Sequence, residues 1–229
     1  QLYLRGNSVQ FLYPVKAFHF LQAMEPCVAA KGDVAYLQSF DEEKHVVWYG
    51  FLKNGAREPT DLKTIVDLET LTKLQQYQEF LAFRAAIGMD QFTMQDYRDF
   101  GDLLFKKPVY APLFHLETDI YIFNHPEGVI ERFSWQSQLS ETTPISYHEH
   151  PDFEREVLVD PVYNQPYALF EKREYFWLLG IDLENGSTSD PVELKHRFAD
   201  KIKVFNGMVY YLYNEVGQKE QLLFRSPVH

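Results

Sequence analysis

The residues whose types and spacing best suit chemistry are His148-Glu149-His150-Pro151-Asp152-Phe153-Glu154. In an extended backbone alternate side chains project to one side, so both imidazoles would reach one metal ion and Glu154 would add an oxygen ligand. A divalent metal held there would polarise an oxygen or activate a water, which is the chemistry of a metal-dependent enzyme. A second constellation is His115-Leu116-Glu117-Thr118-Asp119. As a strand it places His115, Glu117 and Asp119 on one side, and with a distant histidine that set would make a two-histidine, one-carboxylate iron site. The simpler reading is the polar side of a half-buried strand that faces water.

The spacing His-x-His-x3-Glu, from His148 to Glu154, resembles the core of the cupin metal motif. The resemblance spans seven residues and implies a metal ion held by His148, His150 and Glu154. The glycines that flank the motif in that family are absent here, as is a downstream Pro-x-Gly-x2-His segment.

Other chemistries find less support. There is no Gly-x-Gly-x-x-Gly, no Gly-x4-Gly-Lys-Ser/Thr and no Gly-x-Ser-x-Gly, so neither phosphate cradling nor a serine elbow is indicated. The single cysteine, Cys27, excludes a disulfide scaffold and a multi-cysteine zinc site. Its one sequence-near cation is Lys31, which favours an incidental thiol over an activated nucleophile. Phe176-Trp177 and Tyr210-Tyr211-Tyr213 have faces on which bases stack, but no basic stripe accompanies them. Nucleic acid is therefore not an expected partner, and core packing explains these aromatics better.

Charge points to a different kind of function. The chain has 33 acidic and 22 basic residues and a net charge of −11, and this acidity is local. Residues 109–160 carry ten acids against Arg132 and Arg155, a balance of −8, while residues 1–55 are neutral. Such a surface either keeps a protein soluble or steers a basic partner onto it. The second reading leads to a non-enzymatic protein-binding module whose segment 109–160 docks a basic protein. Its contact residues would be Glu117, Asp119, Trp135, Glu149, Asp152, Glu154 and Glu156, with no cofactor required. Inhibitors of basic nucleases or toxins, bacterial immunity proteins among them, are of this general type. A metal-dependent enzyme using His148, His150 and Glu154 is the alternative.

The elements that must position these residues read as an α+β protein, mostly antiparallel, with three to four helices and a C-terminal β-meander. With 45% hydrophobic and 16% aromatic residues the chain can bury a large core, so one domain is expected over residues 1–229. A subdivision near residue 108 would separate a helix-rich half, 1–108, from a strand-rich half, 109–229. Residues 11–24 are apolar. Val34–Phe40 and Val46–Leu52 read as a hairpin, and 60–87 as the longest helix, since leucines and isoleucine recur at three- and four-residue steps from Leu62 to Leu81. Thr93, Asp96 and Lys106-Lys107-Pro108 frame a second helix, and Asp190-Pro191 with Glu193 starts another. Residues 136–153 read as a long polar loop, and no internal repeat is visible. No apolar run reaches the roughly 18 residues of a membrane span. The cytoplasm is the expected compartment, with an exported mature form left open by the initial Gln1.

Overall fold

A computed structural model of the chain describes residues 2–5, 8–11, 26–41, 44–86, 109–134, 136–214 and 220–228. Over these residues the protein is built from antiparallel sheets, with one α-helix, and it divides into two compact units, Gln1–Leu113 and Phe114–His229. The expectation of an α+β protein with three to four helices is thereby corrected. Two segments read as helical from their sequence pattern are strands, because they pair with neighbours that the pattern does not reveal. The apolar stretch 12–24 and the second helix framed by Thr93 and Pro108 lie outside the described residues.

In the first unit β1 (Leu2–Arg5) and β2 (Ser8–Phe11) form a hairpin. Strands β3 (Cys27–Lys31), β4 (Val34–Asp41), β5 (Val46–Lys53) and β6 (Thr60–Val66) follow as a four-stranded sheet in chain order. The β4–β5 hairpin is the one expected from sequence, and it pairs without a slip from Val34 opposite Lys53 to Asp41 opposite Val46. Residues 60–66, expected to open the long helix, form β6 instead. Ile65 lies opposite Val47, and both side chains are fully buried, so sheet pairing prevails over helical spacing here. The helix α1 (Leu68–Ala86) begins one residue after this strand. Asp67 caps it: its carboxylate accepts the backbone N–H and the hydroxyl of Thr70, at 2.9 and 2.8 Å.

The second unit is entered through β7 (Leu113–Leu116), which joins β8 (Asp119–Asn124), β9 (Val129–Phe133) and β10 (Leu139–Pro144) in a sheet of chain order. A second four-stranded sheet contains β11 (Phe153–Asp160), β12 (Gln165–Lys172), β13 (Tyr175–Gly180) and β14 (Val192–Glu193). The last sheet has β15 (Asp200–Phe205), β16 (Met208–Asn214) and β17 (Gln221–Pro227). Among the described residues three sheets are thus four-stranded meanders, a repeat of topology that no repeat of sequence announces.

Two further expectations are corrected here. The polar loop 136–153 contains β10 and a 3-10 turn, Tyr147–Glu149. The strand is polar because all of its residues except Thr143 are exposed, so it has almost no buried face to advertise. The helix start at Asp190-Pro191 leads instead into β14, which pairs with Trp177 and Leu178. Leu194 is fully buried and its N–H donates to the Phe176 carbonyl, so burial holds this segment extended against its capping signal. A core of Leu158, Leu169, Leu178, Leu194, Ile202, Val209 and Tyr211 joins the last two sheets, each such side chain contributing about 1.5–3 kcal/mol by burial.

Candidate functional site

All ten acids of segment 109–160 fall between Glu117 and Asp160, within the second unit. The fold divides them into groups with different fates. Arg132 holds two, meeting Asp119 at 2.7 Å and Glu141 at 3.5 Å. Its hydrogen bond to Asp119 comes first among the causes that raise the guanidinium above its ordinary value, so this arginine is firmly charged. Asp152 is half-buried and meets Lys172 at 3.2 Å. Glu131 is buried and accepts from the Asn124 amide at 3.3 Å, and Asp160 is wholly buried. Glu117, Glu127, Glu149, Glu154 and Glu156 are exposed.

Of the contact residues expected from sequence, then, Glu117, Glu149, Glu154 and Glu156 face solvent, while Asp119 and Asp152 are drawn into ion pairs. Trp135 lies outside the described residues. Glu117 does not continue a strand from His115. It sits in the turn between β7 and β8 with φ at 52°, so the alternation that would align His115, Glu117 and Asp119 is broken. Its N–H donates to the Asn164 side chain at 3.1 Å, which fixes this turn beside the turn carrying Val162 and Tyr163. Those two side chains are 48% and 59% exposed.

The histidines are placed in a way that extended geometry does not predict. His148 lies in the 3-10 turn and His150 closes it, so their rings diverge from the same-side arrangement of a strand. The His148 ring packs on His125 at 5.5 Å and on Tyr147 at 6.1 Å. His150 packs on Phe170 at 5.5 Å, and its Nδ1 accepts the Asp152 N–H at 3.2 Å. No group of three or more His, Cys, Asp or Glu side chains among the described residues is arranged to hold a metal ion.

These rings belong to a largely buried aromatic cluster that the sequence pattern does not reveal. Its centre is His125, whose Nε2 shares a hydrogen bond of 2.9 Å with the Tyr147 hydroxyl. Phe153 packs on both rings at 5.4 Å, and Phe170 links it to Trp177. The local signal for His125 was Asn124-His125-Pro126-Glu127-Gly128. Asn124 caps that 3-10 turn by accepting the Glu127 N–H, and Gly128 closes it in the left-handed region at φ 66°.

Burial holds the His148 ring below the ordinary histidine value, against an opposing pull from Glu149. Its Nδ1 is buried and has no hydrogen-bond partner among the described residues. The folded state therefore favours the neutral ring, whereas the unfolded chain takes a proton near pH 6.5. This stabilisation is complete above that value and is lost as pH falls below it. Replacing the ring by one of similar shape, His148→Phe, should flatten the fall in melting temperature between about pH 7 and pH 5. Melts that keep the wild-type slope would contradict this assignment.

No protein-family model and no curated protein matches the chain. Among solved structures it is similar to a luciferin-regenerating enzyme at 8% identity and a TM-score of 0.32, over 79% of this chain and 54% of that one. It is also similar to a Bacteroides uniformis protein assigned as a 6-phosphogluconolactonase, at 10% identity and a TM-score of 0.33, over 85% of this chain and 53% of that one. The chain spans about half the length of each. Likeness at this level transfers neither fold nor activity. No helix among the described residues is long and apolar enough to cross a membrane.

Proposed function

We propose that the protein is a non-enzymatic binding module that docks a basic protein partner through segment 109–160, in the manner of an immunity or inhibitor-type protein. One observation carries the reading. Ten acids of this segment meet two arginines, one of which is already committed to Asp119 and Glu141, and the side chains of Glu117, Glu149, Glu154 and Glu156 are exposed. Carboxylates in that setting accelerate encounter with a basic surface and select against acidic ones. Binding energy must come from apolar anchors, and Tyr163 supplies one beside the Glu117 turn.

The test compares wild-type protein with a variant carrying Glu→Gln at positions 117, 149, 154 and 156. A basic partner captured at about 0.1 M salt should associate at least tenfold more slowly at about 0.5 M, and the variant should show the same loss at low salt. Tyr163→Ala should act on dissociation instead. A partner indifferent to both salt and the four substitutions, or no partner at all, would overturn the proposal.

A further inference from the structure

Each sheet ends in two edge strands, whose outer N–H and C=O groups lie open to pairing with another chain. Among the described residues nearly all of these edges are short or irregular. Strands β1, β2 and β7 have four residues each, and β14 has two. The pairings of β3, β6, β10, β11 and β15 with their neighbours each contain a register shift. Only β17 is both long and regular, since its seven residues, Gln221–Pro227, pair with β16 without a slip. Its sheet stops at three strands where three others reach four, and Leu222 and Leu223 on this edge are 37% and 70% exposed.

The hydrogen bonding of β16 with β17 fixes which groups this edge offers. The Val228 N–H donates to the Gly207 carbonyl at 3.1 Å, in register with the pairing of the two strands. In an antiparallel ladder such bonded pairs alternate with pairs whose backbone groups point away from each other. Tyr210 with Arg225, Leu212 with Leu223 and Asn214 with Gln221 are therefore of the second kind. The N–H and C=O groups of Gln221, Leu223 and Arg225 thus point outward. Among the described residues no strand takes them up.

We propose that β17 pairs antiparallel with β17 of a second copy about a two-fold axis, joining two three-stranded sheets into one. Outward residues must face outward residues, and centring the pair on Leu223 sets Leu223 opposite itself and Gln221 opposite Arg225. Leu222 then faces Phe224 of the second copy, so apolar side chains meet on both faces of the new sheet. Arg225 is the one ionisable residue of the strand, and in this register it meets no like charge. Sliding by two residues sets Gln221 against Pro227 or carries Arg225 beyond the strand. The centred pair forms about six backbone hydrogen bonds, and Pro227, with no N–H at the next outward position, ends the ladder. Such an isologous pair closes at two copies because each edge covers the other. Segment 109–160 takes no part, so this inference stands apart from the docking of a basic protein.

Analytical ultracentrifugation of the full-length chain between about 1 and 100 μM should show a dimer that persists in about 0.5 M salt, since no ion pair holds it. Leu223→Lys sets two lysines opposite each other and should weaken dimerisation roughly tenfold or more. An unchanged far-UV spectrum would show that this exposed position leaves the fold intact. For the register, Cys27→Ser removes the native thiol, and Leu223→Cys or Leu222→Cys supplies a new one. Across the axis the Cα atoms of position 223 lie about 5.5 Å apart, so oxidation should crosslink the Leu223→Cys variant. Those of position 222 lie about 8 Å apart, and that variant should stay uncrosslinked. A chain that stays monomeric throughout, leaving the edge to a strand of some other protein, overturns the proposal. So does a dimer that Leu223→Lys leaves intact, or crosslinking that is equal at the two positions.

Discussion

Replacing Asp160 by alanine is expected to destabilise the second unit by about 4 kcal/mol, a loss of roughly 10 °C in melting temperature. The side chain is wholly buried at the end of β11. Its carboxylate accepts the N–H groups of Val162 at 2.9 Å and Tyr163 at 3.4 Å, closing its own turn. It also accepts those of Asn206 at 3.0 Å and Gly207 at 2.6 Å, from the turn between β15 and β16. One residue therefore staples the end of β11 to the turn between β15 and β16. Removing it leaves the buried Gly207 N–H without an acceptor, at a cost of about 1–3 kcal/mol, and breaks three further charge-assisted bonds that close the two turns. Burial alone pushes this carboxyl up, and the four N–H groups outweigh it and hold the group below the ordinary aspartate value. With a depressed folded value, the contribution to stability is present above the unfolded value of about 3.9 and lost as pH falls through the folded one. Wild-type protein should thus lose stability steeply in acid below about pH 4, and Asp160→Asn should remove that part of the acid dependence. Chemical denaturation between about pH 3 and pH 7 measures both effects. A variant that unfolds within about 1 kcal/mol of wild type at neutral pH would show that the staple is dispensable.

The second large effect is expected at Gly186. Its φ of 74° lies in the left-handed region, and a Cβ there would sit 1.8 Å from the Pro144 carbonyl oxygen. That oxygen belongs to backbone, so it cannot swing aside as a side chain would. Thr143 next to it donates to the Leu183 carbonyl at 3.1 Å, which binds the end of β10 to the same loop. Gly186→Ala should cost about 3–5 kcal/mol, the sum of a left-handed penalty and a clash that displaces two segments. Gly128→Ala provides the control. Its φ of 66° is similarly left-handed, but the nearest atoms to an added Cβ lie at 3.5 Å, so only about 1 kcal/mol should be lost. Urea denaturation of the two variants separates conformation from contact, and equal losses would contradict the clash.

The two substitutions also bear on function. Gly186 and Pro144 secure the end of β10 just before the turn that carries His148 and Glu149, whereas Asp160 secures β11 after Glu154 and Glu156. The side chains of Glu117, Glu149, Glu154 and Glu156 are exposed and cheap to alter, but the backbone that presents them rests on buried groups. Charge-neutral variants should therefore leave the fold intact and test the proposed docking alone, while Asp160→Ala should impair folding.

Local pattern read the short elements well. Val34–Phe40 and Val46–Leu52 were recognisable as a hairpin because β-branched and aromatic residues flank a polar turn, and the pairing extends one residue beyond each. The turn at Asn206-Gly207 was equally plain, since φ is positive at both residues and this pair tolerates it. Pattern failed where partners lie far along the chain. Leu62, Ile65 and Leu68 keep helical spacing, but Ile65 is claimed by Val47 across the sheet. Asp190-Pro191 carries a helix signal, but Leu194 is claimed by a distant core.

For the site, sequence by itself determined the amount and the location of charge, because ionisable residues are countable and Arg132 and Arg155 are the only bases among 109–160. It could not determine which carboxylates remain available. That depends on Arg132 reaching Asp119 and Glu141 across a sheet, and on Asp160 finding donors 46 and 47 residues away. Nor could spacing alone decide the fate of His148 and His150, whose relation changes when the backbone forms a 3-10 turn instead of a strand. Composition sets the charge, whereas long-range pairing decides which charges are neutralised, which are buried, and which face the solvent.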